Sequence, residues 1–211
     1  MQRLQIWTIV GILVIGASTL PMAGQSSGTR DGSWEARLIG SLDTCVQERF
    51  RNVDGVFGFR RIVRPEETAH RFRPENIREL EEVRELQRAN LQVVLYLAAR
   101  EVLRSRPDPI DPLLASHVIR GPALVTPDRL QISDAPAPLQ LWDESRLALH
   151  AFDRGESHRF TVSGWTFVAR PVRASDQSCL NCHRADALRL GDPIGAALYG
   201  YKKGGYVRKG G

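Results

Sequence analysis

Apolar residues recur at helical spacing in the first part of the chain beyond residue 33. Over Trp34 to Phe50 an apolar residue lies on nearly every turn, and Ser33 stands where a helix N-cap is expected. The same spacing runs from Pro74 to about Arg104, with proline in the first turn and several glutamates near the positive end of the helix dipole. The pattern therefore predicts two helices, the second of them long.

The second half of the chain has strand-like patterns. Residues Pro107 to Pro138 hold seven of the twelve prolines, which predicts a long ordered loop with short helical or extended pieces. Leu139 to Phe152 is typical of a helix. Arg159 to Val162 and Trp165 to Val172 are typical of strands, and Ser163-Gly164 between them is a turn signal.

The C-terminal residues predict one more pair of strands. Ala196 to Tyr201 and Tyr206 to Arg208 flank a Lys-Lys-Gly-Gly turn and could form a hairpin. Helices first and strands later indicate an α+β fold with an antiparallel sheet, preceded by a long N-terminal helical region. The length of 211 residues suits one domain, which we place at residues 33–211.

The first residues have the pattern of a targeting segment. After Arg3 no charge occurs before Arg30, and the apolar run between them ends in small residues around Ala23. This predicts a secretory signal peptide at residues 1–24. The alternative is an uncleaved membrane anchor over residues 4–22, which is nearly long enough for a bilayer core of about 30 Å. Both predict export to the periplasm or an equivalent extracytoplasmic space.

Composition narrows the function classes only a little. The chain has 29 Lys and Arg against 24 Asp and Glu, with 42% hydrophobic and 25% charged residues, the ordinary mixture of a globular protein. This excludes a disordered tail, a collagen-like fibre, a disulfide scaffold and a polytopic membrane protein. The Arg- and Glu-rich second helix indicates a solvated face, so no nucleic-acid partner is expected.

One motif carries cofactor chemistry. Cys179-Leu180-Asn181-Cys182-His183 is C-x-x-C-H, the attachment signature of a c-type haem. Cysteines three residues apart on a helical turn project to the same side, where each thiol can add to one haem vinyl group. His183 then supplies an axial imidazole to the iron. The motif predicts one covalent haem c, with Cys179 and Cys182 as thioether residues.

Three other chemistries compete for the same residues. A zinc site could use Cys45, Cys179, Cys182 and His183, although adjacent ligands strain a tetrahedral geometry. A redox-active dithiol is normally found beside a βαβ pattern, which is absent here. A plain disulfide between the two motif cysteines needs no cofactor at all.

Methionine is absent from the part of the chain that would hold a haem. Only Met1 and Met22 occur, and cleavage of the leader would remove both, so a methionine opposite His183 is not expected. Cys45 is the leading candidate for the sixth iron ligand, because a single unpaired cysteine is unusual in an exported protein unless it has a function. Its alternative role is that of a small buried core residue. The remaining histidines rank lower: His150 on a predicted helix, then His70, His117 and His158.

The C-terminal half resembles a known family. Trp165-Thr166-Phe167-Val168-Ala169-Arg170-Pro171, the C-x-x-C-H motif and Asp192-Pro193-Ile194-Gly195 are similar to single-haem c-type domains with a PAS-like fold. Such domains occur as exported proteins and as sensor modules of kinases. The resemblance implies a PAS-like antiparallel sheet flanked by helices, one haem, and redox or small-gas sensing. It also implies Cys45 of the first helix as distal ligand.

Two functions follow from this interpretation. The first is a haem-based sensor of redox state or of a diatomic gas, read by a partner protein. The second is an electron-transfer cytochrome steered by the basic tail of Lys202, Lys203, Arg208 and Lys209. No convincing distal acid–base pair for a peroxidase is present, so no enzyme activity is expected. Three arginines near the motif are candidates for contacts to the haem propionates: Arg170, Arg173 and Arg184.

Overall fold

The computed structural model describes residues 33–51, 71–104, 118–126, 131–183 and 187–204. The predicted leader and the Tyr206–Arg208 strand of the predicted C-terminal hairpin lie outside these ranges. Within them, no helix combines the length and the apolar character that crossing a bilayer would need.

Helices and strands are mixed along the described chain. Short 3₁₀ turns at Arg100–Leu103, Ile132–Asp134 and Pro138–Leu141 join some of them. The helices and strands are α1 (Trp34–Arg51), α2 (Ile77–Arg88), β1 (Leu91–Ala99), β2 (Ile119–Leu124), α3 (Trp142–Asp153), β3 (His158–Val162), β4 (Trp165–Arg173), α4 (Gln177–Cys182) and β5 (Pro193–Lys203).

The five strands form one antiparallel sheet. Their order across the sheet is β2-β1-β5-β4-β3, so β5, the last strand along the chain, lies at the centre. Its first nine residues are all buried. The predicted α+β class, with an antiparallel sheet flanked by helices, is confirmed.

Helices cover both faces of the sheet. On one face, α1, α2 and α4 pack against inward residues such as Val93, Leu95 and Tyr199. On the other face, α3 packs against the alternate residues of the same strands, including Val94 and Tyr96. We call these the α1 face and the α3 face. Because successive strand residues point to opposite sides, one apolar run serves both cores.

The predicted single helix from Pro74 to Arg104 is wrong. Helix α2 ends at Arg88, Asn90 adopts a left-handed conformation with φ of 56°, and β1 follows at Leu91. The physical reason is that a strand buried on both faces is apolar almost throughout, and such a run also contains residues at helical spacing. The long N-terminal helical region is therefore two separate helices, α1 and α2, followed by the first strand.

The other predicted elements are found close to their expected positions. The Ser33 hydroxyl accepts a hydrogen bond from the backbone N–H of Ala36 (3.2 Å), as expected of an N-cap. Strands β3 and β4 form a hairpin whose two turn residues, Ser163 and Gly164, both have positive φ. The proline-rich segment contributes the edge strand β2, which pairs with β1.

A buried ion pair fixes α1 to α2. The Arg49 side chain near the end of α1 donates to both carboxylate oxygens of Glu79, with an Nε–Oε1 distance of 2.6 Å. Both side chains are almost fully buried. Arg49 also donates to the carbonyl oxygen of Arg73 (2.8 Å) and lies over the ring of Phe72. These contacts hold the α1 helix in place on the sheet.

Candidate haem site

The cysteine motif folds as a short helix with its own caps. Asp176 precedes α4, and its carboxylate accepts a hydrogen bond from the backbone N–H of Ser178 (2.7 Å). The helix ends at Cys182, and the backbone N–H of the following residue, His183, donates to the carbonyl oxygen of Cys179 (2.9 Å). Cys179 and Cys182 are thus one turn apart, and half-buried His183 follows directly. This is the backbone arrangement that the sequence motif predicts.

The first motif cysteine lies against the core. Cys179 is 4% exposed and belongs to the same apolar cluster as Leu42 and Val46 of α1. Its Sγ atom is 4.0 Å from the hydroxyl of Ser175, which in turn donates to the carbonyl oxygen of Phe50 at the end of α1 (3.4 Å). Cys179 is a free thiol and forms no disulfide. The motif therefore lies on the α1 face, beside the C-terminal end of α1.

Cys45 on α1 is also buried. It is 2% exposed and is also a free thiol. Burial raises the pKa of the Cys45 thiol; the charge of Arg78 on α2 opposes this shift, and that of Glu82 adds to it. A thiol of raised pKa must lose its proton before it can bind iron as a thiolate. Three of the charges that act on Cys45 belong to α2, namely Arg78, Glu79 and Glu82, whereas the Sγ atom of Cys179 lies beside Ser175 near the end of α1.

The histidines separate by their place in the fold. His150 lies on α3, on the α3 face of the sheet, and is exposed. His158 begins β3, and its Nε2 is 2.9 Å from a carboxylate oxygen of Glu144 on α3. Neither lies on the α1 face with the cysteine motif. His70 and His117 lie outside the described residues.

The three candidate arginines have different surroundings. Arg173 is exposed, and its guanidinium donates to the carbonyl oxygen of Gly191 (2.8 Å). Arg170 is half-buried on the core side of β4, and its Nε atom is buried without a hydrogen-bond partner. Arg184 lies outside the described residues. Of the two candidates that the structure describes, Arg170 is the one that combines partial burial with an unused donor.

A polar cluster beside Arg170 was not predicted. The Tyr199 hydroxyl of β5 donates to the Asp43 carboxylate of α1 (2.9 Å), and Gln47 donates to the same oxygen (3.1 Å). Burial raises the pKa of Asp43, and burial together with the Asp43 charge raises the pKa of Tyr199. The signal in the sequence was Gly40, Asp43 and Gln47, which recur at helical spacing as a small and polar stripe of α1.

Metal-ligand groups and the basic tail, the other candidate features, give weaker evidence for a functional site. Among the residues that the structure describes, no group of three or more His, Cys, Asp or Glu could hold a metal ion. Two of the four basic tail residues make contacts within the protein. Lys202 lies over the Trp165 ring, 4.5 Å from its centroid, and Lys203 is 3.5 Å from Glu35. Arg208 and Lys209 lie outside the described residues.

Comparison with known proteins does not assign this chain to a family. No protein-family model matches it, and neither a curated protein nor a solved structure was found to match. The functional argument therefore depends on the residues themselves.

The residues on the α1 face fit a covalently bound haem. The helix carries two cysteines one turn apart in the backbone, followed by a histidine, which is the residue set that a c-type haem uses. The sulfur of Cys179 lies among apolar side chains, as suits a porphyrin edge. Two buried donors of this region, Arg170 Nε and Ser178 Oγ, lack partners. Buried polar atoms without partners are uncommon and are consistent with a bound group that accepts hydrogen bonds.

Proposed function

We propose that the chain is an exported monohaem c-type cytochrome that senses redox state or a diatomic gas. One haem c would be held by thioether bonds to Cys179 and Cys182, with His183 as axial ligand. The observation that carries the proposal is the folding of the C-x-x-C-H motif as one capped helical turn with its first cysteine against the core. A bound haem would supply one-electron redox chemistry and affinity for gases such as NO and CO.

Cys45 is the distal ligand that we propose. It is buried on the α1 face, where the cysteine motif also lies, and the described residues of that face include no histidine other than His183. A thiolate ligand donates electron density to iron and lowers its potential.

Sensing is favoured over electron transfer by two observations. The chain after residue 22 has no methionine to raise the potential of a carrier. Lys202 and Lys203, expected to steer an acidic partner, are engaged with Trp165 and Glu35 of the protein itself. The signal would be read by a partner protein.

The test compares visible spectra of the wild type and Cys45→Ala, both produced with haem-attachment machinery. We expect a ferric spectrum with thiolate character in the wild type and its loss in Cys45→Ala. Val46→Ala is the matched control, because Val46 is also fully buried on α1 but has no sulfur. It should keep the wild-type spectrum.

Gas binding then separates the two functions. We expect the reduced wild type to change its spectrum with CO or NO. A haem protein that fails to respond to either gas, and that exchanges electrons rapidly with a donor protein, would contradict sensing and support electron transfer. Identical ferric spectra of the wild type and Cys45→Ala would exclude Cys45 as ligand.

A further inference from the structure

Strand β4 carries a charge on its core side. Residues 168, 170 and 172 point to the same face of the sheet, since strand residues alternate. Val168 and Val172 are buried in the cluster that contains Cys179, at 8% and 6% exposure. Arg170 lies between them. A guanidinium is therefore placed where the pattern of the strand expects an apolar side chain.

Within the described residues, this guanidinium has no anionic partner in contact. Its Nε is buried without a hydrogen bond, and no ion pair to it is formed there. Its Nη2 atom lies 3.9 Å from the place where a Cβ on Gly40 would be, so the side chain extends across the surface of α1. The charge of Arg170 opposes the rise that burial causes in the pKa of Asp43. The Asp43 Oδ1 atom, however, already accepts hydrogen bonds from Tyr199 and Gln47.

A partly buried charge without a partner is costly, and arginine is suited to one kind of partner. Removing a guanidinium from water is compensated only when an anion or several acceptors replace the water. The planar fork of arginine matches the two oxygens of a carboxylate. Arg170 lies on the strand between Val168 and Val172, and both valines belong to the apolar cluster that contains Cys179, so its donor is on the side of the sheet where the cofactor is proposed.

We propose that Arg170 binds a propionate carboxylate of the haem. This inference rests on the proposed function, because it requires that the cofactor be present. It selects Arg170 from the three arginines that proximity in sequence had suggested. Arg173 is exposed and already donates to Gly191, so it serves as the natural control.

The test uses the haem-loaded protein and three variants: Arg170→Gln, Arg170→Lys and Arg173→Gln. One readout is the midpoint potential of the haem, and the other is the propionate bending vibration in the resonance Raman spectrum. For Arg170→Gln we expect a negative shift of the potential, because a positive charge near the haem stabilises the reduced iron, and a shifted vibration. Arg170→Lys should shift the vibration more than the potential. Arg173→Gln should change neither.

The possible failures are distinguishable. A colourless wild-type protein would overturn the proposed function and this inference with it. A coloured wild type in which Arg170→Gln and Arg173→Gln give the same potential and the same vibration would overturn the inference alone. If both Arg170 variants failed to accumulate while Arg173→Gln accumulated, the role of Arg170 would be in folding, and the inference would also be wrong.

Discussion

At the residue scale, two arginines on the α1 face differ in whether the protein supplies partners for their charge. Arg49 has a complete set of partners within the protein, including the buried carboxylate of Glu79. Arg170 has no such set. The first arrangement holds two helices together, whereas the second leaves a donor for something else. This contrast supports a structural role for Arg49 and a binding role for Arg170.

Glu79→Gln tests the structural role of Arg49. Removing one partner of a buried pair leaves an uncompensated charge, so we expect a loss of about 3–5 kcal/mol in the free energy of unfolding. Urea denaturation measures this. The control is Glu48→Gln, which removes the exposed Arg78–Glu48 pair and should cost less than about 1 kcal/mol. Equal effects of the two variants would contradict the account of the buried pair.

Two buried tyrosines make the stability depend on pH in the alkaline range. Tyr96 and Tyr199 are 0% exposed, and burial raises the pKa of both phenols above their ordinary value of 10.0. Above that value the unfolded chain releases protons that the folded chain keeps. The free energy of unfolding should therefore fall with rising pH, by about 1.4 kcal/mol per pH unit for each tyrosine. Below it, these two groups contribute no pH dependence.

Urea denaturation between about pH 9 and 11.5 measures this slope. Tyr96→Phe keeps the ring and removes the hydroxyl, which donates to the carbonyl oxygen of Pro136. The variant should have a smaller slope than the wild type at high pH. An unchanged slope would show that the Tyr96 phenol does not resist ionisation in the folded protein.

At the scale of elements, local sequence patterns were sufficient to predict a helix with one buried face or a hairpin with a recognisable turn. The amphipathic helix α1, its Ser33 cap and the β3–β4 hairpin were all predicted. The boundary between α2 and β1 was not, because a strand buried on both faces has no alternation to distinguish it from a helix. The Asp43–Tyr199 hydrogen bond joins residues 156 positions apart, and no local pattern could have indicated it.

Gly200→Ala tests the packing of the central strand. Gly200 on β5 pairs with Phe167 on β4 and Val94 on β1, and an added Cβ would lie 2.6 Å from the Phe167 ring. That ring is stacked on Phe160 with centroids 4.9 Å apart, so it has little room to move. We expect a loss of about 1–3 kcal/mol in the free energy of unfolding, measured by urea denaturation.

Gly40→Ala is the control for this substitution. Gly40 lies within α1, and an added Cβ would lie 3.9 Å from the Nη2 atom of Arg170, which is ordinary van der Waals contact. The change should be neutral or stabilise by up to about 1 kcal/mol, since alanine is the better helix former. A Gly200→Ala variant as stable as Gly40→Ala would contradict the packing described for the centre of the sheet.

At the scale of the whole molecule, the sheet divides the protein into two parts with different roles. The α3 face is an apolar core built around Trp142, Trp165 and Phe167. The α1 face contains the cysteine motif, Cys45, the paired Arg49 and the unpaired Arg170. Under the proposed function, the first stabilises the fold and the second holds the cofactor.

The presence of the cofactor is the claim on which the functional account depends. The most direct measurement is the intact mass and visible spectrum of the purified wild-type protein, produced with haem-attachment machinery. The account predicts a coloured protein whose mass exceeds that of the polypeptide by one haem, and a Cys179→Ala/Cys182→Ala variant without that increase. A colourless wild type with the mass of the bare polypeptide would contradict it.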